Sequence, residues 1–398
     1  MARRAAIILT PRLPWPLDDG GRIAAWQTVW AAAQAYDVTL LSFVPPGTEN
    51  DPVPRALADL GVAVQRVAHR PPPSPIAAVQ GLAGRWPYTL SRYQSPEFAG
   101  ILRERVADLM PAYVLANHLH MAPYVEALPG TPMVLRQHNV EHAWMARYAR
   151  ERGVTPAGLY ARVQAGRLKR AEASLVNAAA LTLAIQDREA EQLRALAPGA
   201  RVETLPVGVD LNRYPEPSRR PEPPVVLLAG SFAWAPNVKG AVRFLAEGWP
   251  RVKAGAPSAR LKLAGKRPPP SLLAAARRAG VEVAADVPSM PDEFTRATLL
   301  LVPLWIGAGV RVKIIEALGA RLPVVATPFA CEGLGLTPGT HYMEGVSAAD
   351  LGDRALELLR DPVRRDALAR EGLATAEARW SLPEVAKLQN DLVAQVAR

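Results

Sequence analysis

Short apolar runs alternate with helix-period stretches along the first half of the chain. Residues 5–9 are continuously apolar (Ala-Ala-Ile-Ile-Leu) and predict a buried strand. A Pro-rich loop follows, then Gly20-Gly21 and a helix carrying Ile23, Trp26 and Trp30 on one face. Further strands are predicted at 38–44, 62–67, 113–116, 133–135 and 181–185. Strands that alternate with helices and are apolar throughout belong to βαβ units, in a parallel sheet covered on both faces. The rhythm breaks at 206–224, which holds six prolines. That density opposes both helix and central strand, so a linker is expected there. The pattern then restarts, with strands at 225–229, 261–264, 281–283, 299–302 and 323–326 and a helix near 239–245. Residues 349–397 read as helical, interrupted near Trp380 to Pro383. The predicted organisation is a first domain at 1–205, a linker at 206–224, a second domain at 225–375 and a C-terminal helix at 376–398 that returns to the first domain. Open parallel sheets bind ligands at the carboxyl ends of their strands. Two such domains would enclose a cleft.

Composition narrows the class. Of 398 residues, 49% are hydrophobic and 21% charged, as in ordinary globular chains. One cysteine, Cys331, cannot form an internal disulfide, and no signal-peptide pattern is visible, so a cytoplasmic protein is expected. The most apolar later stretch, 297–310, is too short to span a bilayer. A formal net charge of +10 favours polyanionic partners, among them nucleotides, anionic lipid and nucleic acid.

The stretch 307–318 reads Gly-Ala-Gly-Val-Arg-Val-Lys-Ile-Ile-Glu-Ala-Leu, between a strand and a helix. Its glycines, including Gly309, free backbone N–H groups beside Val310, and the helix start adds partial positive charge. Together they form a phosphate cradle. Arg311 and Lys313 bring full charges to the same end. Glu316 follows one turn later, where a carboxylate can accept both hydroxyls of a ribose. Four of the six histidines fall in one window, His118, His120, His138 and His142, after the strands at 113–116 and 133–135. No Cys or carboxylate at suitable spacing completes a metal site there. From 147 to 170 there are seven basic residues against the single acid Glu151, interleaved with Tyr148 and Tyr160 and preceded by Trp144. Such a run suits either a solvated face or an anionic membrane surface.

The 307–318 segment resembles the nucleotide-sugar site of GT-B glycosyltransferases of the retaining, family-four type (group 1). Glu316 matches the second glutamate of the family's Glu-x7-Glu pattern, which binds the nucleotide ribose. Ala308 stands where the family carries its first glutamate, the one that touches the donor sugar. Residues 206–210 resemble the family's Asn-Gly-Val-Asp linker, with Val207 replacing Asn. Residues 230–237, from Gly230 and Ser231 to Asn237, resemble the turn after the first strand of the nucleotide domain. Many relatives place an Arg and a Lys near that turn, where this chain has Ser231 and Lys239.

The resemblance implies an α/β, GT-B fold of two Rossmann-like domains facing each other across a cleft. It implies transfer of a sugar from a nucleotide sugar to a hydroxyl of a glycan or lipid-linked acceptor, with retention, no metal and no cofactor beyond the co-substrate. Gly20 and Gly21, preceded by Asp18 and Asp19, would lie over the donor. His118 or His120 would meet the donor sugar, and Arg136, His138, Asn139 and Glu141 would line the acceptor side. Arg311 and Lys313 would stabilise the leaving diphosphate in place of the missing pair. The basic run would hold the enzyme at the inner face of the membrane. Two other readings stand beside it. A nucleotide-sugar epimerase of the same fold would need acid and base carboxylates, for which Glu141 is the clear candidate. A nucleic-acid binder fits the charge but shows no recognition module.

Overall fold

The computed structural model describes residues 3–17, 20–128, 130–214, 221–307 and 311–398. The chain divides into two compact units. The first comprises 1–207 with 385–398, the second 208–384.

The first unit is built on seven strands: β1 (Ala5–Thr10), β2 (Asp37–Val44), β3 (Ala63–Ala68), β4 (Tyr113–Asn117), β5 (Met133–Arg136), β6 (Leu181–Ala184) and β7 (Val202–Thr204). All pairings are parallel, in the order β3-β2-β1-β4-β5-β6-β7. Side chains alternate across the sheet, and both faces are buried. Ile7, Leu9, Val114 and Ala116 pack in one cluster, Ala6, Ile8, Tyr113 and Leu115 in the other. Each such Val, Leu or Ile stabilises the fold by about 1.5–3 kcal/mol, which is why an unbroken apolar run marks a central strand.

The second unit holds β8 (Val225–Ala229), β9 (Arg260–Gly265), β10 (Glu282–Ala285), β11 (Leu299–Val302), β12 (Val324–Ala326) and β13 (Met343–Glu344). They too are parallel, in the order β10-β9-β8-β11-β12-β13. In each sheet the strand order reverses once, between β1 and β4 and between β8 and β11. Those are the points where loops leave in opposite directions and open a crevice at the strand ends.

Three features differ from expectation. The edge strands β7 and β13 were not expected, being only 3 and 2 residues long. The helix Gly20–Ala35 buries its small side, Ala24, Ala25, Gln27, Thr28, Ala31 and Ala32, and leaves Ile23, Trp26 and Trp30 half-buried. Small residues let it lie close to its neighbours: Gln389 and Asn390 donate to its Thr28 and Ala31 carbonyls at 3.0 and 2.8 Å. The terminal helical region is three helices, Ala348–Arg360, Pro362–Trp380 and Leu382–Ala394. The first break is at Asp361, whose side chain caps the next helix at Arg364 N, ahead of Pro362. In the last helix, Val385 and Val393 join the core of the first unit.

Candidate functional site

In the second unit the switch point lies at the carboxyl ends of β8 and β11. Gly230 ends β8 with φ +143°, a conformation that favours glycine. A Cβ there would lie 2.8 Å from Lys313 Nζ. The helix Ala235–Glu247 comes close to the loop after β11 at Gly240, where a Cβ would sit 2.0 Å from the Pro303 carbonyl oxygen. The helix Val312–Gly319 begins at Arg311 and carries Lys313 and Glu316 three residues apart, on one partly exposed face. Lys313 Nζ donates to the Ala229 carbonyl at 2.7 Å and to Asn237 Oδ1 at 2.9 Å. Asn237 Nδ2 donates in turn to the Ser231 carbonyl at 2.8 Å. The asparagine thus clips the β8 turn to the lysine, and both its polar atoms are engaged internally. Burial, with the Arg311 charge beside it, pulls the Lys313 ammonium down to about 8. Arg311 is buried with its guanidinium 4.7 Å from the Phe329 ring centroid. Glu316 Oε1 accepts a 2.7 Å hydrogen bond from Tyr214, and burial raises its carboxyl above the ordinary range. Lys239 is exposed. Asp18, Asp19, Ala308, Gly309 and Val310 lie outside the described residues.

In the first unit, Gly20 and Gly21 open the helix that follows β1, so their backbone N–H groups belong to its first turn. His118 follows β4 with φ +81°, a strained value for a residue with a side chain. Its ring stacks on His138, centroids 3.7 Å apart. His138 Nε2–H donates to Asn117 Oδ1 at 2.7 Å. Burial first, then neighbouring histidines and the Arg12 and Arg136 charges, hold the His118 and His138 rings well below their ordinary pKa. Both are therefore neutral at pH 7. His120 contacts Tyr93, ring centroids 4.7 Å apart, and burial with the Arg92 charge brings it down to about 4.

Arg136 corrects the expectation of an acceptor-side group. Its side chain is fully buried, with the guanidinium on the carbonyls of Ala184, Leu205 and Pro206 at 3.2, 2.6 and 3.4 Å. It fixes where the chain leaves β6 and β7 and has no face for a substrate. Asn139 and Glu141 remain at the start of the helix Glu141–Arg152, hydrogen-bonded to each other.

Glu172, on the helix Pro156–Ala178, is an organising group that no sequence motif marks. Its side chain is fully buried. One carboxylate oxygen accepts from Gln137 Nε2 and Glu141 N, both at 3.0 Å. The other accepts from His142 N at 3.0 Å and lies 2.7 Å from His142 Nδ1. A buried carboxylate thus caps the helix that presents Glu141. The signal was present: Ala161, Gln164, Leu168, Glu172 and Leu175 form one buried stripe at helical spacing, and an acid on such a stripe must have partners.

Two family models match the chain. Residues 54–213 match Glycosyltransferase Family 4, and residues 223–361 match Glycosyl transferases group 1. Together they cover about three quarters of the sequence. The chain belongs to the group 1, family 4 glycosyltransferases. No curated protein matches it by sequence. Among solved structures, sucrose-phosphate synthase from Thermosynechococcus elongatus shares the fold at TM-score 0.72 and 16% identity, covering 99% of each chain. Anabaena HepE, solved with UDP and glucose, superposes at TM-score 0.70 and 13% identity over 99% of this chain and 100% of its own. WaaG, a glycosyltransferase involved in lipopolysaccharide biosynthesis, gives 0.67 and 16% over 97% and 99%. The fold is that of the GT-B enzymes.

In this glycosyltransferase, the Glu141 carboxyl is brought near neutrality. Burial, with the Glu172 charge beside it, pushes it up to about 7 against the hydrogen bond from Asn139. The folded enzyme holds this proton to about pH 7, whereas the unfolded chain releases it near 4.5. Stability from this group therefore falls as pH rises from 4.5 to 7. Glu141→Gln is expected to unfold at a higher temperature than wild type at pH 8 and to lose that advantage near pH 4. Melting curves at the two pH values check it; equal shifts at both would refute the assignment.

Proposed function

We propose that the enzyme transfers a sugar, with retention and without a metal, from a nucleotide sugar to a hydroxyl of a glycan or lipid-linked acceptor. The observation that carries this is the Lys313 ammonium at the β8/β11 switch point, one helical turn from Glu316. The second unit binds the donor. Lys313, Arg311 and the start of the Val312–Gly319 helix, with Gly309 and Val310 before it, receive the diphosphate. Glu316, held by Tyr214, accepts the ribose hydroxyls. Ser231 and Asn237 set the β8 turn against them. Gly20 and Gly21 offer further N–H groups to the phosphate, and neutral His118 or His120 donates a hydrogen bond to the donor sugar. His138, Asn139 and Glu141 face the acceptor.

The chemistry then follows from charge. As the sugar–phosphate bond breaks, negative charge grows on the diphosphate, where positioned cations and N–H groups lower the barrier. The departing phosphate takes the acceptor proton on the same face, so no pair of carboxylates is required. UDP-glucose is the first donor to try, because HepE was solved with UDP and glucose and with UDP-glucose. Among the described residues no helix is long and apolar enough to cross a membrane. The enzyme acts in the cytoplasm, peripherally on the inner face of the membrane.

Release of the nucleoside diphosphate from UDP-, GDP- and ADP-sugars, with thermal shift by each nucleotide, tests this reading. Glu316→Gln is expected to weaken nucleotide binding by roughly ten- to a hundredfold, the loss of a charge-assisted pair at about 1.5–3 kcal/mol. Unchanged affinity in that variant would remove Glu316 from the ribose.

A further inference from the structure

The helix Ser74–Ala83 carries no charged side chain, yet it lies on the surface of the first unit. Ile76, Val79 and Leu82 are 53%, 66% and 48% exposed, at a spacing that puts them on one face. The opposite side is closed: Ala77 and Gly81 are buried, and a Cβ on Gly81 would meet the Tyr88 backbone at 2.7 Å. This helix is strapped down through its own carbonyls. Tyr160 Oη donates to Ala78 O at 3.0 Å, Gln164 Nε2 to Gly81 O at 3.0 Å, and Arg167 to Leu82 O at 3.0 Å and to Gly84 O. All three straps come from the helix Pro156–Ala178, whose Leu159 and Val163, beside the first two of them, are 49% and 52% exposed.

Tyr160 therefore anchors the Ser74–Ala83 helix rather than reaching outward with Trp144 and Tyr148, which stack on each other. The outward apolar groups are the five aliphatic ones. Exposed basic residues accompany them: Arg70 before the helix, and Arg162, Lys169 and Arg170 on the strapping helix, whereas Arg85 after it is paired with Glu126 at 2.8 Å. A cavity of about 730 Å3 opens alongside, lined by Val79, Gln80, Arg70, Arg85, Trp86 and His69 among others.

We propose that the Ser74–Ala83 helix docks the enzyme on an anionic bilayer. Ile76, Val79 and Leu82, flanked by Leu159 and Val163, enter the headgroup layer. Arg70, Arg162, Lys169 and Arg170 meet lipid phosphates, and the cavity takes one phospholipid headgroup against Arg70. Charge complementarity selects this occupant: an apolar ridge with a basic border fits an anionic leaflet. The inference deepens the membrane part of the proposed function and relies on none of its donor chemistry.

Co-sedimentation of the full-length enzyme tests it, with phosphatidylglycerol-containing and pure phosphatidylcholine vesicles, at low and high salt. Wild type is expected to bind the anionic vesicles, more weakly at high salt. Ile76→Asp/Val79→Asp should lose vesicle affinity at least about tenfold. Its nucleotide binding and melting temperature should stay at wild-type values, since both positions are exposed. Val79→Trp should shift its emission to the blue on anionic vesicles by more than wild type, whose nine native tryptophans set the background. Failure of wild type to bind anionic vesicles would overturn the proposal. So would an aspartate variant that binds as wild type does while Arg147→Ser/Arg150→Ser loses binding. A wild-type dimer that the aspartate variant breaks, without vesicle binding, would assign the ridge to a second copy instead. Each of these results leaves nucleotide binding, and with it the donor reading, to stand or fall separately.

Discussion

Lys313→Met is expected to lower turnover of the nucleotide sugar by about a hundred- to a thousandfold, the usual cost of removing one positioned charge from a developing oxyanion. The lysine is placed for that task because it already neutralises the end of β8, at Ala229 O and Asn237 Oδ1. Its loss should change stability little. Two hydrogen bonds disappear, but so does the cost of holding a cation in a site that lowers its pKa to about 8. The sign of the pH effect separates this residue from others. The native lysine releases its proton near 8 and the unfolded one near 10.5, so stability from this group rises with pH across that window. Nucleotide affinity moves the other way, falling as pH passes 8, because the diphosphate needs the protonated form. Nucleotide titrations at pH 7 and pH 9 check the affinity: a fall in wild type and none in Lys313→Met is the expected pair. A wild-type affinity independent of pH would contradict the assignment.

The largest loss of stability is expected from Glu172→Ala. Removing this carboxylate leaves Gln137, the amides of Glu141 and His142, and the His142 ring without their acceptor in a buried site. Breaking such a network costs about 3–5 kcal/mol. For a unit of this size, that lowers the melting transition by about 6 °C or more. Glu172→Gln keeps one acceptor oxygen and should lose less. Differential scanning calorimetry distinguishes these outcomes, and an unshifted transition in the alanine variant would show that the network carries no stability.

What the sequence made legible follows the range of the interaction. Central strands such as β1, β4 and β11 announced themselves, since burial on both faces demands an apolar residue at every position. The short edge strands β7 and β13 did not: few of their residues are buried, so no run of apolar positions is required. The position of Lys313 and Glu316 on a helix after a strand was local and readable. That Lys313 reaches Ala229 was not, because β8 and β11 are neighbours only through the sheet order. The four histidines were visible as a cluster, whereas the stacking of His118 on His138 depends on two strands meeting side by side. Arg136 shows the limit from the other side. A cation at a strand end reads as a ligand-facing group until the carbonyls of Ala184, Leu205 and Pro206 are seen around it.

The central claim is that a nucleoside diphosphate binds at the carboxyl ends of β8 and β11. Calorimetric titration of UDP into the full-length enzyme, its Lys313→Met variant and its Glu316→Gln variant tests it most directly. Wild type is expected to bind at one site per chain, with affinity weakened in both Lys313→Met and Glu316→Gln. Equal affinity in all three proteins, or no binding of UDP, GDP or ADP by wild type, would contradict it.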